Sequence, residues 1–599
     1  MRSGATECKL ALKHENDVAL GTSFDFFFAG FRSYLTHSAF ADHFINRCPV
    51  LTGLFRSRRQ GFTPVSPVSF ILDFWLRSPL ACCPLPVPGR FKVILLSRVH
   101  SATLSGVDGV CVEVEVRISS QLPRIDIVGL PETAVRESAA RVRAAISAIG
   151  EKFPDRRITV NLAPAGLKKS GAGLDLPIAI GILAAAGAIE HGALEHAAFM
   201  GELALDGRLR PVRGTLALAL ASRDEGCTSA FVAEENAREA SVAPGIAIHG
   251  AKHLELILAH LRGASAIEVH TPPPFVEDQP TSVHCLSDVR GQEGAKRALE
   301  VAAAGGHALL LCGPPGSGKT MLARRLPGIL PPMQIDEALD ATRIHGAAQQ
   351  LSAEHPMIRQ RPFRAPHHSA SSAGLMGGGN PPMPGEVSLA HRGVLFLDEL
   401  PEFNRRSLES LRAVLEGHSV RLARAGFSCV FPAHFQLIAA ANPCPCGWYQ
   451  SGVRDCRCDD TTIARYQQRV SGPLLDRIDL HVNVPAQAWR DLEQPSSGPT
   501  SATLRERVVR ARELQHRRGV RSNAEIPDAQ LDQYVKPTPE ANTLLGRAVD
   551  GFGLSARAAR RVLRTARTIA DLAETTHVEA SAIAEALTTR TESQNRPIS

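Results

Sequence analysis

Apolar and polar positions along this 599-residue chain follow several different patterns, which divide it into regions. Val110–Val116 alternates residue by residue, as a half-buried strand does, and Ile158–Leu162 predicts a second strand. Helical spacing predicts helices over Thr133–Ile149 and Leu176–Ala186, the second of them buried. Short strands mixed with helices predict an α+β domain over residues 93–262.

Continuous apolar runs replace this alternation further along the chain. Ala308–Cys312 and Gly393–Leu397 are apolar throughout, and Phe435–Ala441 is apolar except at Gln436. Such runs are typical of parallel strands that are covered on both faces. Residues 283–485 are therefore predicted to form an α/β core around a parallel sheet.

Long patterns rich in Ala, Arg and Leu follow this core. They predict helices over Ser501–Arg518 and Ala556–Leu572, and so a helical lid over residues 499–590. Residues 591–599 are predicted to be a frayed tail.

Two other segments show neither helical nor strand periodicity. A polar, proline-bearing stretch that includes Thr271–Pro274 predicts a linker over residues 263–282. Residues 1–92 are rich in Phe and contain four of the 13 cysteines. We expect this extension to be disordered or an over-extended translation start, with a small separate domain or targeting element as the alternative.

Composition narrows the class of protein. The formal charge of +7, from 67 Lys and Arg against 60 Asp and Glu, permits nucleic-acid binding without requiring it. Thirteen cysteines without a secretory pattern indicate a reducing compartment, so we expect a cytoplasmic protein. No apolar run reaches the roughly 20 residues that a membrane helix needs, so no membrane partner is expected.

The most informative motif follows the first apolar run and precedes a helical pattern. It has the spacing G-x-x-x-x-G-K-T of a phosphate-binding loop, whose backbone N–H groups surround an anion at a helix N-terminus. We predict that Lys319 contacts the β- and γ-phosphates of ATP and that Thr320 binds Mg²⁺. The predicted loop consists of Gly313, Pro314, Pro315, Gly316, Ser317, Gly318, Lys319 and Thr320.

The other two apolar runs also end in polar side chains. Asp398 and Glu399 follow the second run, which suits one carboxylate for Mg²⁺ and one for polarising the attacking water. Asn442 follows the third run and is a candidate for orienting water or contacting the γ-phosphate. Arg477 lies near the end of the core, where an arginine could neutralise charge at a neighbouring subunit's nucleotide.

The order of these motifs resembles AAA+ ATPases, in particular the magnesium-chelatase-like branch that includes the ComM (YifB) family. The resemblance covers about residues 93–590 and implies a homo-oligomeric ring of six copies that uses ATP and Mg²⁺. It also implies branch migration on branched or single-stranded DNA, independent of sequence, during natural transformation. The motifs that carry it are Asp288–Gln292, Arg361–His368, Gly385–His391, Asn442–Gly447 and Ser471–Asp479.

The same resemblance implies residue roles. It makes Asn442 a sensor, Arg477 an arginine finger and Arg557 a nucleotide-sensing residue. The last assignment stays open, because other arginines lie one or two helical turns away, namely Arg560, Arg561 and Arg564.

The 93–262 region is similar to the proteolytic domain of Lon in Lys168–Gly173 and Gly201–Val212. Alignment of these motifs puts Gly173 at the position of the catalytic serine and Leu216 at that of the lysine. Ser170 is a nearby hydroxyl without an identified base. We therefore expect a scaffold or interaction platform rather than a peptidase.

Two insertions interrupt the predicted core. Phe363–Pro384 is rich in Gly, Pro and Ser and predicts a mobile loop, in which His367 and His368 are expected to point in opposite directions. Val420–Ala433 predicts a β-hairpin that projects Arg421 or Arg424. In related ring ATPases such elements line a central pore, which implies contact with the DNA backbone; a solvated hairpin face is the alternative.

Four cysteines are close together just after Asn442. Their C-x-C spacing is tighter than the C-x₂₋₄-C that zinc sites usually show. A structural zinc ion, four reduced thiols and a redox-sensitive loop all remain open. The residues are Cys444, Cys446, Cys456 and Cys458.

Two functions from other classes remain as alternatives to the DNA motor. An ATP-dependent protease would fit the Lon-like region but lacks both catalytic groups. A magnesium-chelatase motor would need separate metal-insertion and porphyrin-binding subunits, which nothing in this chain resembles.

Overall fold

A computed structural model describes residues 96–169, 171–272, 274–275, 284–352, 354–424, 427–487, 489, 493 and 498–591. The predictions for residues 1–92, for Ser170 and for residues 592–599 lie outside this range. The described chain is mixed α/β with a helical C-terminal region, and the predicted fold class is confirmed.

The first part of the chain is built on a seven-stranded mixed sheet with the order β3-β4-β2-β1-β5-β8-β9. Its strands and those of a small β6–β7 pair are β1 (Leu96–Ser105), β2 (Asp108–Ser119), β3 (Arg124–Val128), β4 (Arg157–Ala163), β5 (Ala197–Phe199), β6 (Glu202–Leu203), β7 (Leu209–Arg210), β8 (Ser229–Ala233) and β9 (Ala247–Ala251). Its helices are α1 (Thr133–Ala148), α2 (Asp175–Ala185), α3 (Thr215–Asp224), α4 (Glu234–Ala240) and α5 (Leu254–Leu261). Every residue of α2 is buried, as its apolar sequence predicts.

A five-stranded parallel sheet with the order β11-β14-β17-β10-β18 forms the centre of the second part. The strands here are β10 (Leu309–Cys312), β11 (Phe363–Arg364), β12 (Gly377–Gly378), β13 (Met383–Pro384), β14 (Val394–Leu397), β15 (Ser419–Arg424), β16 (Phe427–Pro432), β17 (Gln436–Ala441) and β18 (Leu480–Asn483). The helices are α6 (Glu293–Gly305), α7 (Lys319–Ala323), α8 (Ile335–Ala347), α9 (Ser372–Met376), α10 (Glu386–Leu389), α11 (Arg405–Gly417), α12 (Asp460–Gln467) and α13 (Gly472–Leu475). The three predicted apolar runs are β10, β14 and β17, which are neighbours in the sheet.

The C-terminal helices pack against α6 and share its apolar core. They are α14 (Ser501–Arg517), α15 (Leu531–Val535), α16 (Pro539–Phe552), α17 (Ala556–Leu572) and α18 (Ala580–Thr591). A buried carboxylate, Asp571, joins α17 to the segment that follows α14, because it accepts hydrogen bonds from Arg518 and Asn523 as well as from Arg567 of its own helix. The two predicted long helices are confirmed as α14 and α17.

The two insertions differ in how well the sequence predicts them. The β15–β16 hairpin is confirmed, and its buried side chains include Phe431, which packs near the β1–β2 turn at Gly106. The expectation of an unpacked loop over 363–384 is wrong, because Leu375 and Met376 are buried and the segment forms α9 and the β12–β13 pair. Ser371 caps α9 by accepting a hydrogen bond from the backbone N–H of Gly374 at 3.0 Å.

Over the described ranges, no helix combines the length and apolar character needed to cross a membrane.

Candidate active site

The glycine-rich loop joins the end of β10 to the start of α7. Gly316 and Gly318 have φ values of +77° and +91°, which only glycine adopts without strain. The loop therefore curves back over the N-terminus of the helix. This is the strand–loop–helix arrangement that the motif predicts, at the carboxyl edge of the parallel sheet where α/β proteins bind ligands.

Lys319 is buried inside the curve of this loop. Its Nζ donates to the carbonyl oxygens of Gly313 and Pro314, both at 2.8 Å, and to Oδ1 of Asn442 at 3.2 Å. Burial lowers the pKa of the ammonium group, because the charged form is poorly solvated there. A phosphate in the loop would stabilise that charge, so the site is suited to an anion.

Thr320 and Asp398 are brought together although they are 78 residues apart in the chain. The Thr320 hydroxyl donates to Oδ2 of Asp398 at 2.7 Å. A hydroxyl and a carboxylate are the kind of oxygen ligands that Mg²⁺ binds beside phosphates. The two residues fit the magnesium ligands predicted from the sequence.

Glu399 follows Asp398 just after the end of β14. It is exposed, its φ is +53°, and its Oε2 lies 3.1 Å from Nδ1 of His368. A non-glycine residue in this backbone region costs about 1–3 kcal/mol and is often found at functional sites. The sequence did not predict that His368 lies beside the predicted base.

The expected orientation of the two histidines is wrong. The rings of His367 and His368 lie 4.1 Å apart, centre to centre, instead of pointing in opposite directions. The expectation assumed an extended strand, whereas β11 ends at Arg364 and the backbone N–H of Ala370 bonds to the carbonyl of His367 in a turn.

Arg477 and Arg557 meet at a different place. Arg477 is buried; it donates through Nη2 to Glu416 and through Nη1 to the carbonyl of Pro473 at 2.6 Å. Arg557 is exposed, and its Nη2 lies 3.4 Å from the same Glu416 oxygen. Within the described residues, none of the hydrogen bonds or ion pairs of these two arginines reaches the phosphate-binding loop.

The neighbouring lid arginines are held in other pairs. Arg560 and Arg564 both pair with Asp528, and Arg561 pairs with Asp479. Burial alone would raise the pKa of the Asp479 carboxyl, but hydrogen bonding to His307 and the charge of Arg561 hold that pKa well below its ordinary range. Arg557 is therefore the most available of the four candidates that the sequence left open.

Comparison with known proteins places the chain in a family. The model of the family "Magnesium chelatase, subunit ChlI" matches residues 285–492, and two further ChlI models match residues 114–236 and 498–590. The chain is 44% identical to YifB of Escherichia coli over 496 residues, which is 83% of this chain and 97% of YifB. It is 43% identical to the competence protein ComM of Haemophilus influenzae over 496 residues, 82% of this chain and 97% of ComM.

The chain belongs to the magnesium-chelatase-like YifB/ComM family. This YifB/ComM membership confirms the resemblance drawn from the motifs and implies an AAA+ ATPase that uses ATP and Mg²⁺. A shorter stretch of 140 residues is 26% identical to the DNA replication licensing factor MCM4 of Drosophila melanogaster. This stretch is 23% of the chain and 14% of MCM4.

This member of the YifB/ComM family also carries a compact group of four cysteines between β17 and α12. The sulfur atoms of Cys444, Cys446, Cys456 and Cys458 all lie within 4.8 Å of one another. The described part of the chain contains nine cysteines, and none of them is in a disulfide. The structure thus brings together the four residues that the sequence grouped by spacing.

Proposed function

We propose that this chain forms a ring of six copies that hydrolyses ATP to translocate on DNA. The observation that carries the proposal is the convergence of three adjacent strand ends on one site. The loop after β10 provides Lys319, the end of β14 provides Asp398 and Glu399, and the end of β17 provides Asn442.

In this proposal each side chain has a separate task. The loop and Lys319 bind the phosphates, and Thr320 and Asp398 would hold Mg²⁺, which neutralises charge on the β- and γ-phosphates. Glu399 polarises the attacking water. Asn442, which accepts a hydrogen bond from Lys319, senses the γ-phosphate.

The positions of the arginines support assembly into a ring. A finger must contact the γ-phosphate to neutralise transition-state charge. Arg477 and Arg557 are paired with Glu416 instead of facing their own loop. We infer that both act on the nucleotide of a neighbouring copy, so that the active site is completed across an interface.

DNA is the proposed substrate because of the hairpin and the relatives. Arg421 is exposed on β15 opposite Val430, on the face that points away from the buried Phe431. Similarity to a competence protein and to a DNA replication licensing factor favours a DNA motor. We propose branch migration of recombining DNA in the cytoplasm during natural transformation.

The domain division is part of the same proposal. Residues 283–485 act as the motor, residues 499–590 as its lid, and residues 93–262 as a scaffold joined through the linker 263–282. The Lon-like region offers little for a peptidase, because Leu216 is buried and the Lys169 ammonium group donates to the Leu162 carbonyl at 2.8 Å.

A three-way turnover assay tests the function. ATP hydrolysis by the full chain is measured with forked DNA, with casein and with a porphyrin. We expect forked DNA to stimulate hydrolysis and casein to remain intact. Casein cleavage would support a protease, and porphyrin-dependent turnover would support a chelatase motor; either result, without DNA stimulation, would reject the proposal.

The proposed contact between the hairpin and DNA predicts a change in the salt dependence of DNA binding. Replacing Arg421 and Arg424 by alanine should weaken DNA binding at every sequence, because phosphate contacts release counterions. The slope of log affinity against log salt should fall by about 1.4–1.8 for two lost contacts. Fluorescence anisotropy over a salt series measures this slope.

A matched pair of lid arginines provides the control. Arg510 and Arg517 lie on α14 with exposed side chains, and their replacement by alanine removes the same charge elsewhere. We expect the control to keep the original slope. An unchanged slope in the hairpin variant, or an equal drop in the control, would rule out the hairpin as the contact.

A further inference from the structure

The four-cysteine cluster has the dimensions of a closed metal site. The Sγ atom of Cys444 lies 3.4 Å from that of Cys446 and 3.7 Å from that of Cys456, and the last two are 3.6 Å apart. Four thiolates at the Zn–S distance of about 2.3 Å form a tetrahedron with edges of about 3.8 Å. A disulfide would need sulfur atoms about 2.05 Å apart. We propose that Cys444, Cys446, Cys456 and Cys458 bind one structural Zn²⁺ ion.

The chemistry of the ligands narrows the choice of ion. Thiolates are soft ligands that favour zinc over Mg²⁺ or Ca²⁺, which prefer oxygen. Four protein ligands leave no open position for water, which is typical of structural rather than catalytic zinc. The backbone N–H of Tyr449 donates to the sulfur of Cys444 at 3.4 Å, as groups around a metal site do for its ligands.

The ion would join two ends of an irregular segment. Cys444 and Cys446 follow the end of β17, and Cys456 and Cys458 precede Asp459, which caps α12 by accepting from the N–H of Thr462 at 3.1 Å. Most of the segment between the two pairs is exposed or half-buried, so few apolar contacts hold it. Binding of zinc would therefore supply much of the free energy that orders it.

This segment also packs against the phosphate-binding loop. Gly447 has a φ of +82°, and a Cβ atom added there would lie 2.4 Å from Cδ of Pro315. Asn442, which accepts a hydrogen bond from Lys319, is two residues before Cys444. We infer that the zinc site positions both Pro315 and Asn442, so its loss weakens nucleotide binding. This coupling rests on the proposed nucleotide site, whereas zinc binding itself does not.

Metal content tests the site. The full chain is purified in reducing buffer without added metal or chelator, and zinc is measured by mass spectrometry. We expect one zinc per chain, lost when Cys446 and Cys456 are both replaced by serine and kept in Cys111→Ser, which changes a half-buried thiol in β2. Zinc-free wild-type protein, or the double variant retaining zinc, would overturn the site.

Cobalt exchange covers the case in which the double variant does not fold. Wild-type protein loaded with Co²⁺ should show the absorption bands of tetrahedral cobalt with four thiolate ligands. A spectrum without thiolate charge transfer, or with octahedral cobalt, would overturn the proposed ligands.

Nucleotide affinity tests the coupling. Binding of a fluorescent ATP analogue is compared between wild-type protein as purified and after zinc is removed by a chelator. We expect binding about tenfold weaker without zinc, restored when zinc is added back. Equal affinity would overturn the coupling alone, and absence of analogue binding in zinc-loaded protein would instead reject the proposed nucleotide site.

Discussion

Replacing Glu399 by glutamine is expected to leave ATP binding intact and to reduce turnover by about 10²–10⁴-fold, the range for loss of a general base. The amide keeps the shape of the side chain but cannot polarise water. The ion pair of Glu399 with His368 involves none of the atoms that hold Lys319 and Thr320, so the phosphate-binding groups stay in place. Binding of a fluorescent ATP analogue and steady-state phosphate release measure the two effects separately.

Two further variants serve as comparisons for this result. Lys319→Ala removes the buried ammonium group and should abolish tight ATP binding, the opposite pattern. Glu402→Gln changes a nearby acid that pairs with Arg469 outside the site, and should hydrolyse ATP normally. Normal turnover by Glu399→Gln would show that the catalytic assignment is wrong.

Arg477→Ala should reduce turnover by about 10³–10⁵-fold in assembled rings, as loss of an arginine finger does. The fold should survive, because the partner left behind, Glu416, is about half exposed and can be solvated. Arg412→Ala, a change of a half-buried arginine on the same helix as Glu416, should keep its activity.

Mixing variants reveals whether the finger acts between copies. Arg477→Ala and Lys319→Ala are each expected to be inactive alone. In a mixed ring some interfaces combine an intact loop from the first variant with an intact finger from the second. Partial recovery of turnover is therefore expected, and its complete absence in verified mixed rings would indicate action within one chain.

The motifs that could be predicted from the sequence are those that depend on the order of neighbouring residues along the chain. The loop, Asp398, Glu399 and Asn442 lie at strand ends, and a parallel sheet brings strand ends to one edge. Helices α14 and α17 follow from periodicity and capping alone, since Thr500 and Ser555 cap them.

The features that the sequence does not reveal depend on long-range packing. Glu416 is 61 residues from Arg477, and no spacing rule connects them. The 363–384 segment has the composition of a loop, yet Leu375 and Met376 bury it against the core. His368 reaches Glu399 only because the chain turns after β11. Gly447 and Pro315 meet because two loops pack at the same sheet edge.

A comparison of assembly with turnover tests the shared active site most directly. ATP hydrolysis per chain is measured over a series of chain concentrations with forked DNA, while mass photometry gives the oligomer distribution in the same samples. We predict that turnover per chain rises in proportion to the ring fraction and is negligible where the protein is monomeric. Monomers that hydrolyse ATP at the full rate would contradict a site completed by Arg477 from a neighbouring copy.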